Sequence, residues 1–179
     1  MSRRSRFILR ISATLPLLIG SMLRAGTPTA DPPTAATAAS DATMNHCGAA
    51  VMGFDQEKTA HHFFLYADGG AIEVAVKDPA DANNRDAIRA HLPHIAAMFG
   101  EGNFEAPMLV HGRQDVPGIA TLARLKARVA YVYRETAGGG RVTITTTDPE
   151  ALKAVHEFLT FQIRDHATGD PLTLSQRAG

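Results

Sequence analysis

The sequence predicts an α+β domain, built as a duplicated ββα unit whose four-stranded, mostly antiparallel sheet has helices packed on one face. Three features of the chain indicate this fold. Apolar residues alternate with polar ones on both sides of a glycine turn, around residues 61–77 and again around 129–146. An Asp-Pro pair follows each alternating stretch, and an apolar stripe of helical period follows each Asp-Pro pair. Because the second arrangement lies 70 residues after the first, the chain predicts an internal repeat.

The first 30 residues have the composition of a cleavable export signal. Arginines precede an apolar run from Phe7 to Leu23, and small residues follow it. Arg10 interrupts the run, whereas a spanning helix needs about 20 apolar residues, so we expect cleavage and not a membrane anchor. The sequence therefore predicts a signal peptide over residues 1–30 and a periplasmic or secreted product with no membrane span after cleavage.

Composition also sets the expected boundaries of the folded part. Residues 27–43 are entirely Thr, Ala, Pro, Ser and Asp, and such a segment cannot bury enough apolar surface to offset the entropy lost on ordering. We expect a flexible linker over 31–47, a single α+β domain over 48–171 and a frayed tail over 172–179. Cys47 is the only cysteine, so no disulfide can form within one chain.

The distribution of charge argues against one class of partner. Five of the 18 basic residues are arginines within the first 30 positions, where no acidic residue lies. The remaining chain therefore holds 13 basic against 18 acidic residues, without a concentrated basic face. Nucleic-acid binding depends on such a face to neutralise phosphates, so we expect no nucleic-acid partner.

Two β-hairpins account for the four predicted strands. In each, every second residue is apolar or aromatic on both sides of a glycine turn, and glycine supplies the positive φ that tight turns require. The first hairpin is predicted as strands over 61–67 and 71–77. The second spans 129–146 around the three glycines at 138–140.

Two principal helices are predicted after the hairpins. Apolar residues recur at the helical period from Ile88 to Phe99 and again from Leu152 to Ile163. Pro93 lies inside the first stripe, where it either kinks the helix or begins a second helical segment. Between the two units we expect a strand or extended segment at 107–111 and a short helix through 122–125.

Histidine is the residue type that carries candidate chemistry in this chain. Neutral imidazole is the commonest metal ligand in proteins, and a methionine thioether adds a soft donor that suits copper(I). An advance of about 100° per residue places His91, His94 and Met98 within an arc of roughly 60° on the first helix. This pattern predicts a metal site there. All eight histidines lie outside the export signal: His46, His61, His62, His91, His94, His111, His156 and His166.

His61 or His62 is expected to complete this site from the first strand. Adjacent strand residues point to opposite faces, so only one of the two can join it. The alternative interpretation is structural: histidines beside an apolar stripe hydrogen-bond at the surface, and Met98 fills core volume. A His-x-x-His pair is a weak signal by itself, much less specific than HExxH.

Two further groups of donors are open to either interpretation. His156 falls on the apolar stripe of the second helix, which is typical of a hydrogen-bonded core histidine. Met44, His46, Cys47 and Met52 form a second group of soft donors at the start of the domain. Thiolate and thioether both favour copper, so this group could also capture the ion.

The sequence carries no recognisable catalytic motif. It lacks a nucleophile elbow, a phosphate loop, a dinucleotide fingerprint and a paired-cysteine motif. The glycines at 138–140 lie in a hairpin, where they cannot cradle a phosphate at a helix start. We therefore expect a protein that is not an enzyme and has no catalytic residue.

Three runs of the sequence resemble a group of small exported bacterial proteins of unassigned function. The runs are Met52–Gln56 with His61–Phe63, His91–Ala96, and Phe161–His166, and the resemblance covers about residues 48–171. Some similar sequences are described as aspartate carbamoyltransferases. This chain does not support that description, because it is about half the length of such an enzyme and lacks its Ser-Thr-Arg-Thr phosphate-binding motif. The resemblance implies a family and no particular chemistry.

The residues together favour an exported protein that binds a metal ion, copper first and zinc second, for sequestration or transfer. Copper is the one cofactor that the donors suggest. The alternative is a non-catalytic structural or interaction module that binds a protein partner or a small ligand through its sheet surface, with incidental histidines. The metal interpretation requires three of the named donors to converge within ligand distance of one point, and the structural interpretation does not.

Overall fold

The computed structural model describes residues 52–177. The export signal predicted over 1–30 and the linker predicted over 31–47 lie outside the described residues. No helix within 52–177 has the length and apolar character needed to cross a membrane.

The elements, in order, are β1 (Thr59–Tyr66), β2 (Gly69–Val76), α1 (Ala82–Gly100), α2 (Glu105–Val110), α3 (Ile119–Arg124), a 3₁₀ turn (Lys126–Arg128), β3 (Val129–Thr136), β4 (Gly139–Thr146) and α4 (Pro149–Asp165).

The four strands form one antiparallel sheet in the order β1-β2-β4-β3. β1 pairs with β2 and β3 with β4 as hairpins, while β2 and β4 pair at the centre of the sheet. This arrangement confirms the predicted α+β class with a four-stranded antiparallel sheet and helices. Each turn lies one or two residues earlier than predicted, because Gly69 and Gly139 begin the second strand of their hairpins instead of forming the turn.

Both long helices pack on the same face of the sheet. Phe63, Ile72 and Ile144 of the strands share a buried cluster with Ile95 of α1 and Leu159 of α4. Alternation directs every second strand residue to this face, and the helical period of 3.6 directs one stripe of each helix onto it. Burial of each such side chain contributes about 1.5–3 kcal/mol, so this layer holds the domain together.

Two glycines allow the close approach of α4 to its neighbours. A Cβ atom added at Gly70 of β2 would lie 2.2 Å from Cδ1 of Leu159. Gly118 precedes α3 with a φ of +83°, and a Cβ atom there would lie 2.2 Å from the carbonyl oxygen of Ala154. Larger residues at either position would separate α4 from the sheet or from α3.

α1 is one helix that continues through Pro93. Asp81 caps its start by accepting a hydrogen bond from the backbone N–H of Asn84 at 3.1 Å. Pro93 is exposed, so the proline ring lies on the solvent side of the helix and not in the core. The structure therefore shows no separate second segment beginning at Pro93.

Residues 107–110, predicted as part of a strand or extended segment, lie in helix α2 instead. Pro107 is the third residue of this helix, where its missing N–H costs little because the first N–H groups of a helix have no intrahelical partner. Pro107 and Val110 are buried one helical turn apart. The prediction was wrong because an apolar run this short has no periodicity that separates a strand from a helix.

The chain beyond α4 returns along the edge of β1. Asp170 accepts a hydrogen bond from the backbone N–H of Phe63 at 2.9 Å, and the backbone N–H of Ser175 donates to the carbonyl of Leu65 at 2.7 Å. The guanidinium of Arg177 lies 5.1 Å from the ring centroid of Tyr66. The part of the predicted frayed tail that the structure describes thus makes defined contacts, which occupy polar groups at a sheet edge.

Replacement of Asp148, the residue that caps α4, is expected to lower the free energy of unfolding by about 1 kcal/mol. Its carboxylate accepts hydrogen bonds from the backbone N–H groups of Glu150 at 2.9 Å and Ala151 at 3.1 Å. Asp148→Ala loses both bonds, whereas Asp148→Asn keeps an acceptor and should stay within about 0.5 kcal/mol of the unmodified protein. Urea denaturation followed by circular dichroism measures the difference, and equal stability of all three proteins would contradict the capping role.

Candidate functional site

Four histidines from four separate elements line one cavity of about 70 Å³. His61 comes from β1 and His91 from α1, whereas His111 and His166 follow the last residues of α2 and α4. Most of the remaining wall is apolar. This histidine cavity therefore gathers half of the chain's eight histidines into an apolar setting.

The rings around the histidine cavity are in direct contact. The centroids of His61 and His166 are 5.4 Å apart with an interplanar angle of 17°, and those of His111 and His166 are 5.0 Å apart at 77°. The buried ring of Phe54 lies 6.1 Å from His61 and 5.8 Å from His91. His61 therefore lies at the centre of the group. The ring of His166 is in contact with it on one side, and Phe54 connects it to the ring of His91 on the other.

The segment before β1 closes one side of the histidine cavity. The backbone N–H of Asp55 donates to Oδ1 of Asn84 at 2.9 Å, which fastens this segment to the first turn of α1. Met52 lines the cavity, and Nε2 of Gln56 lies 3.9 Å from its sulfur. A thioether is thereby brought to the same cavity as the imidazoles.

Burial keeps the imidazoles of His61, His91 and His166 neutral at pH 7. Burial, helped by repulsion from neighbouring histidines, lowers the pKa of His61 to about 3. Burial and then the nearby His111 lower the pKa of His166 to about 4. Burial also lowers the pKa of His91, with a smaller effect from His94. Each neutral ring keeps one nitrogen lone pair that can bind a ligand.

These lone pairs are not used by the rest of the described chain. Within residues 52–177, the hydrogen bonds of histidine side chains belong to His62, His111 and His156. Toward the other residues of this described range, the rings of His61, His91 and His166 therefore make contacts through their faces and edges only. Free nitrogen donors in an apolar cavity are chemically available to a metal ion or to a hydrogen-bonding ligand.

His111 differs from the other three because it is hydrogen-bonded at both nitrogens. Its Nδ1 lies 2.5 Å from a carboxylate oxygen of Asp165, and its Nε2 lies 3.0 Å from Oε1 of Gln162. The His111 side chain is 1% exposed. Because Asp165 and Gln162 occupy both ring nitrogens, His111 is removed from the donors available to a metal ion.

Gln162, which lines the histidine cavity, has one buried polar atom without a partner among the described residues. The residue is 4% exposed, and its Nε2 has no hydrogen-bond partner within the described part of the chain. A buried N–H group without a partner costs about 1–3 kcal/mol.

The structure brings together only two of the five predicted metal ligands. His61 and His91 line the histidine cavity, whereas His94 is exposed and Met98 is not part of the cavity wall. The cavity therefore does not gather the predicted trio of His91, His94 and Met98. His94 lies roughly 140° from the centre of the buried stripe of α1 and faces solvent, which places it outside the cavity.

The remaining predicted ligand, His62, lies on the opposite face of the sheet from His61, as strand alternation requires. Its Nδ1 is 3.0 Å from a carboxylate oxygen of Asp170 in the C-terminal segment. His156 is likewise hydrogen-bonded within the fold, with its Nε2 2.9 Å from the carbonyl oxygen of Tyr66 and 3.1 Å from that of Gly69. Both residues have structural partners away from the histidine cavity.

Sequence reasoning did not assign His111, Gln162, Asp165 and His166 to the site. Two signals pointed toward them. Gln162 and His166 are four residues apart, the spacing that places side chains on one side of a helix. The run Phe161–His166 also belongs to the resemblance noted above. Neither signal shows that this end of α4 meets β1, which is about 100 residues earlier in the chain.

The donor set of the histidine cavity is limited in number and in charge. Within residues 52–177, no group of three or more His, Cys, Asp or Glu side chains is placed to hold a metal ion. The cavity instead offers neutral imidazoles with the Met52 thioether, and the nearby Asp165 is engaged by His111. This set suits a soft ion that needs few ligands, and it does not suit ions that require several carboxylates.

The chain was compared with protein-family models, with curated proteins and with solved structures. None of the three comparisons found a match.

Proposed function

We propose that this protein is exported and binds copper(I) in the histidine cavity, for sequestration or transfer of the ion. One observation carries the proposal: the neutral imidazoles of His61 and His91 and the thioether of Met52 line the same apolar cavity. Thioether is a soft ligand that selects copper(I), and imidazole also suits copper. The proposed ligands are therefore His61, His91 and Met52, with His166 beside them.

Copper(I) fits this cavity better than zinc(II), the second metal considered. Structural zinc sites are almost always four-coordinate with Cys and His ligands, and the described residues offer no such group. An apolar wall also disfavours the higher charge, because the cost of removing an ion from water rises with the square of its charge. We expect the purified protein to bind copper(I) more tightly than zinc(II).

Replacement of His61 should weaken copper(I) binding by about 100-fold, because even the loss of a group that only supports a ligand can cost 10–100-fold. His61→Phe keeps the ring packing against Phe54 but removes the nitrogen donors. Anaerobic competition with the chelator bicinchoninate measures the affinity. All variants carry Cys47→Ser, so that a thiol outside the described residues cannot bind the ion in place of the cavity.

The matched control for this experiment is His94→Phe, the same substitution at the exposed histidine of α1. It should leave the copper(I) affinity unchanged. Met52→Leu should weaken binding of copper(I) but not of zinc(II), because only the softer ion gains from a thioether. Equal affinities of the His61→Phe and unmodified chains, or an equal loss in His94→Phe, would refute the cavity as the copper site.

We also propose that the two halves of the domain arose by duplication of a ββα unit. Residue 59 begins β1 and residue 129 begins β3, an offset of 70. Across the central pair of strands, Gly70 is opposite Ile144 and Val74 is opposite Gly140. Adding 70 to residue 70 gives residue 140, and subtracting 70 from residue 144 gives residue 74, so the offset converts the first pair into the second. A two-fold axis through the Ile72–Val142 pair would relate the two pairs in the same way. This reciprocal register supports a common origin of the two hairpins.

A further inference from the structure

We infer that β3 is the contact edge of a homodimer, in which it pairs antiparallel with β3 of a second copy of this chain. The pairing joins two four-stranded sheets into one sheet, with the helices of both copies on the same face. The described residues that line the histidine cavity include none of β3, so the inference does not depend on copper(I) binding. It rests on the unpaired backbone of β3, on the covered state of the opposite edge, and on the flank of α1 beside β3.

The backbone groups of every second residue of β3 point away from the sheet. Hydrogen bonds of a strand inside an antiparallel sheet alternate between its two neighbours. The N–H of Thr146 donates to the carbonyl of Asp68 on the β2 side at 3.0 Å, so the odd-numbered residues of β4 bond to the even-numbered residues opposite them in β3. Tyr131, Tyr133 and Glu135 therefore direct their N–H and C=O groups outward, where no other backbone group within 52–177 bonds to them.

The equivalent groups of β1, at the other edge of the sheet, are occupied by the chain itself. Asp170 accepts a hydrogen bond from the N–H of Phe63, and the N–H of Ser175 donates to the carbonyl of Leu65. Phe63 and Leu65 are 70 residues before two of the open positions of β3, the same offset that separates the starts of β1 and β3. Within the described residues, one edge is thus covered in the same chain and the equivalent edge is left for another.

The residues of β3 suit pairing with another strand. Proteins keep a free edge from pairing with proline, lysine or a bulge. β3 contains neither residue, and all its eight residues pair with β4 without a bulge. Its Val132 is an apolar side chain that is 46% exposed. A second copy supplies a strand of the same length and the same apolar residue.

A register centred on Val132 is compatible with the side chains of both copies. A two-fold axis at this residue places Val132 opposite its own copy, which covers the exposed apolar surface. Like charges opposite each other destabilise a strand pair, and this register avoids them because Arg134 is opposite Ala130. Glu135 comes beside Arg128 of the other copy, so opposite charges meet at both ends of the paired strands.

The position of α1 leaves room for a second copy beside β3. α1 packs over both β3 and β4. With strands about 4.8 Å apart and α1 midway between two of them, the two copies of α1 lie roughly 10 Å apart, the distance of packed helices. Nε of Arg89 is 3.4 Å from a carboxylate oxygen of Glu135, so the flank at helical spacing from Arg89 faces this edge. That flank consists of Pro93, Ala96 and Gly100, whose small size allows such an approach.

Sedimentation equilibrium tests the dimer in the chain carrying Cys47→Ser, which lacks cysteine. We expect a reversible dimer with a dissociation constant on the order of 10 μM, because pairing of one strand and one helix flank is a small interface. Val132→Lys places like charges opposite each other at the axis and should raise this constant about tenfold or more. The matched control is Thr143→Lys, at the residue beside Val132 in β4. It should change the constant by less than about threefold, since its two lysines are roughly 14 Å apart.

Disulfide formation tests the register in the same Cys47→Ser background. In Val132→Cys the two Cα atoms are about 4.5 Å apart, as in other pairs that are not hydrogen-bonded to each other, and this distance permits a disulfide. In Ala130→Cys they are separated by roughly 13 Å along the strand, which is too far. In a glutathione redox buffer, Val132→Cys should form a disulfide between copies and Ala130→Cys should not.

The inference is overturned if the chain stays monomeric up to about 1 mM. Equal dissociation constants of the two lysine variants, or equal disulfide formation by the two cysteine variants, would also overturn it. Circular dichroism shows whether Val132→Lys keeps the fold, and the cysteine variants decide the matter if it does not. A failure of copper(I) binding would not affect any of these results.

Discussion

Acidification from pH 7 to pH 5 should lower the free energy of unfolding of this protein, by up to about 4 kcal/mol from two histidines. His61 and His166 are buried as neutral rings with pKa values of about 3 and about 4, below the ordinary value of 6.5. Between these values and pH 6.5 the unfolded chain binds protons that the folded chain does not. Stability is therefore full above pH 6.5 and falls as the pH drops toward 4, by at most about 2 kcal/mol per ring at pH 5.

Urea denaturation at pH 7 and pH 5 measures this effect. His61→Phe and His166→Phe should each reduce the difference in unfolding free energy between the two pH values by about half. His94→Phe changes an exposed histidine and should leave the difference as it is in the unmodified chain. The explanation fails if the double variant of His61 and His166 remains as sensitive to pH as the unmodified chain.

Phe158→Ala should lower the free energy of unfolding by about 3–5 kcal/mol, the range measured for removal of a buried aromatic ring. Phe158 of α4 is 2% exposed, and its ring centroid lies 6.0 Å from those of Phe99 and Phe104. It joins α4 to α1 and to the segment before α2, and it also forms part of the wall of the histidine cavity. Its loss removes buried apolar contact and leaves a larger cavity at the junction of three elements.

Two comparisons sharpen the Phe158 experiment. Phe158→Leu fills part of the space and should cost clearly less than Phe158→Ala. Val132→Ala alters an apolar residue of β3 that is 46% exposed and should stay within about 0.5 kcal/mol of the unmodified chain. Thermal and urea denaturation give the values. A loss below about 1 kcal/mol in Phe158→Ala would show that the junction relaxes to fill the space.

Much of the fold could be predicted because its elements have local signals. Alternation and glycine turns predicted both hairpins, and the apolar stripes from Ile88 and from Leu152 predicted α1 and α4. The segment at 107–111 could not be assigned correctly, since a helix of six residues shows too little of its period. The pairing of β2 with β4 was not predicted either, because no local pattern records which strands meet across the sheet.

The sequence by itself determined which residue types were candidates for the site, and among the predicted ligands it identified His61 and His91. Only the tertiary structure decided that His111, Gln162 and His166 join them, and that His62 and His94 do not. Periodicity along a strand or helix shows which side chains share a face. The position at which one face meets another depends on packing between distant segments, such as the end of α4 against β1, and this packing has no signature in either segment alone.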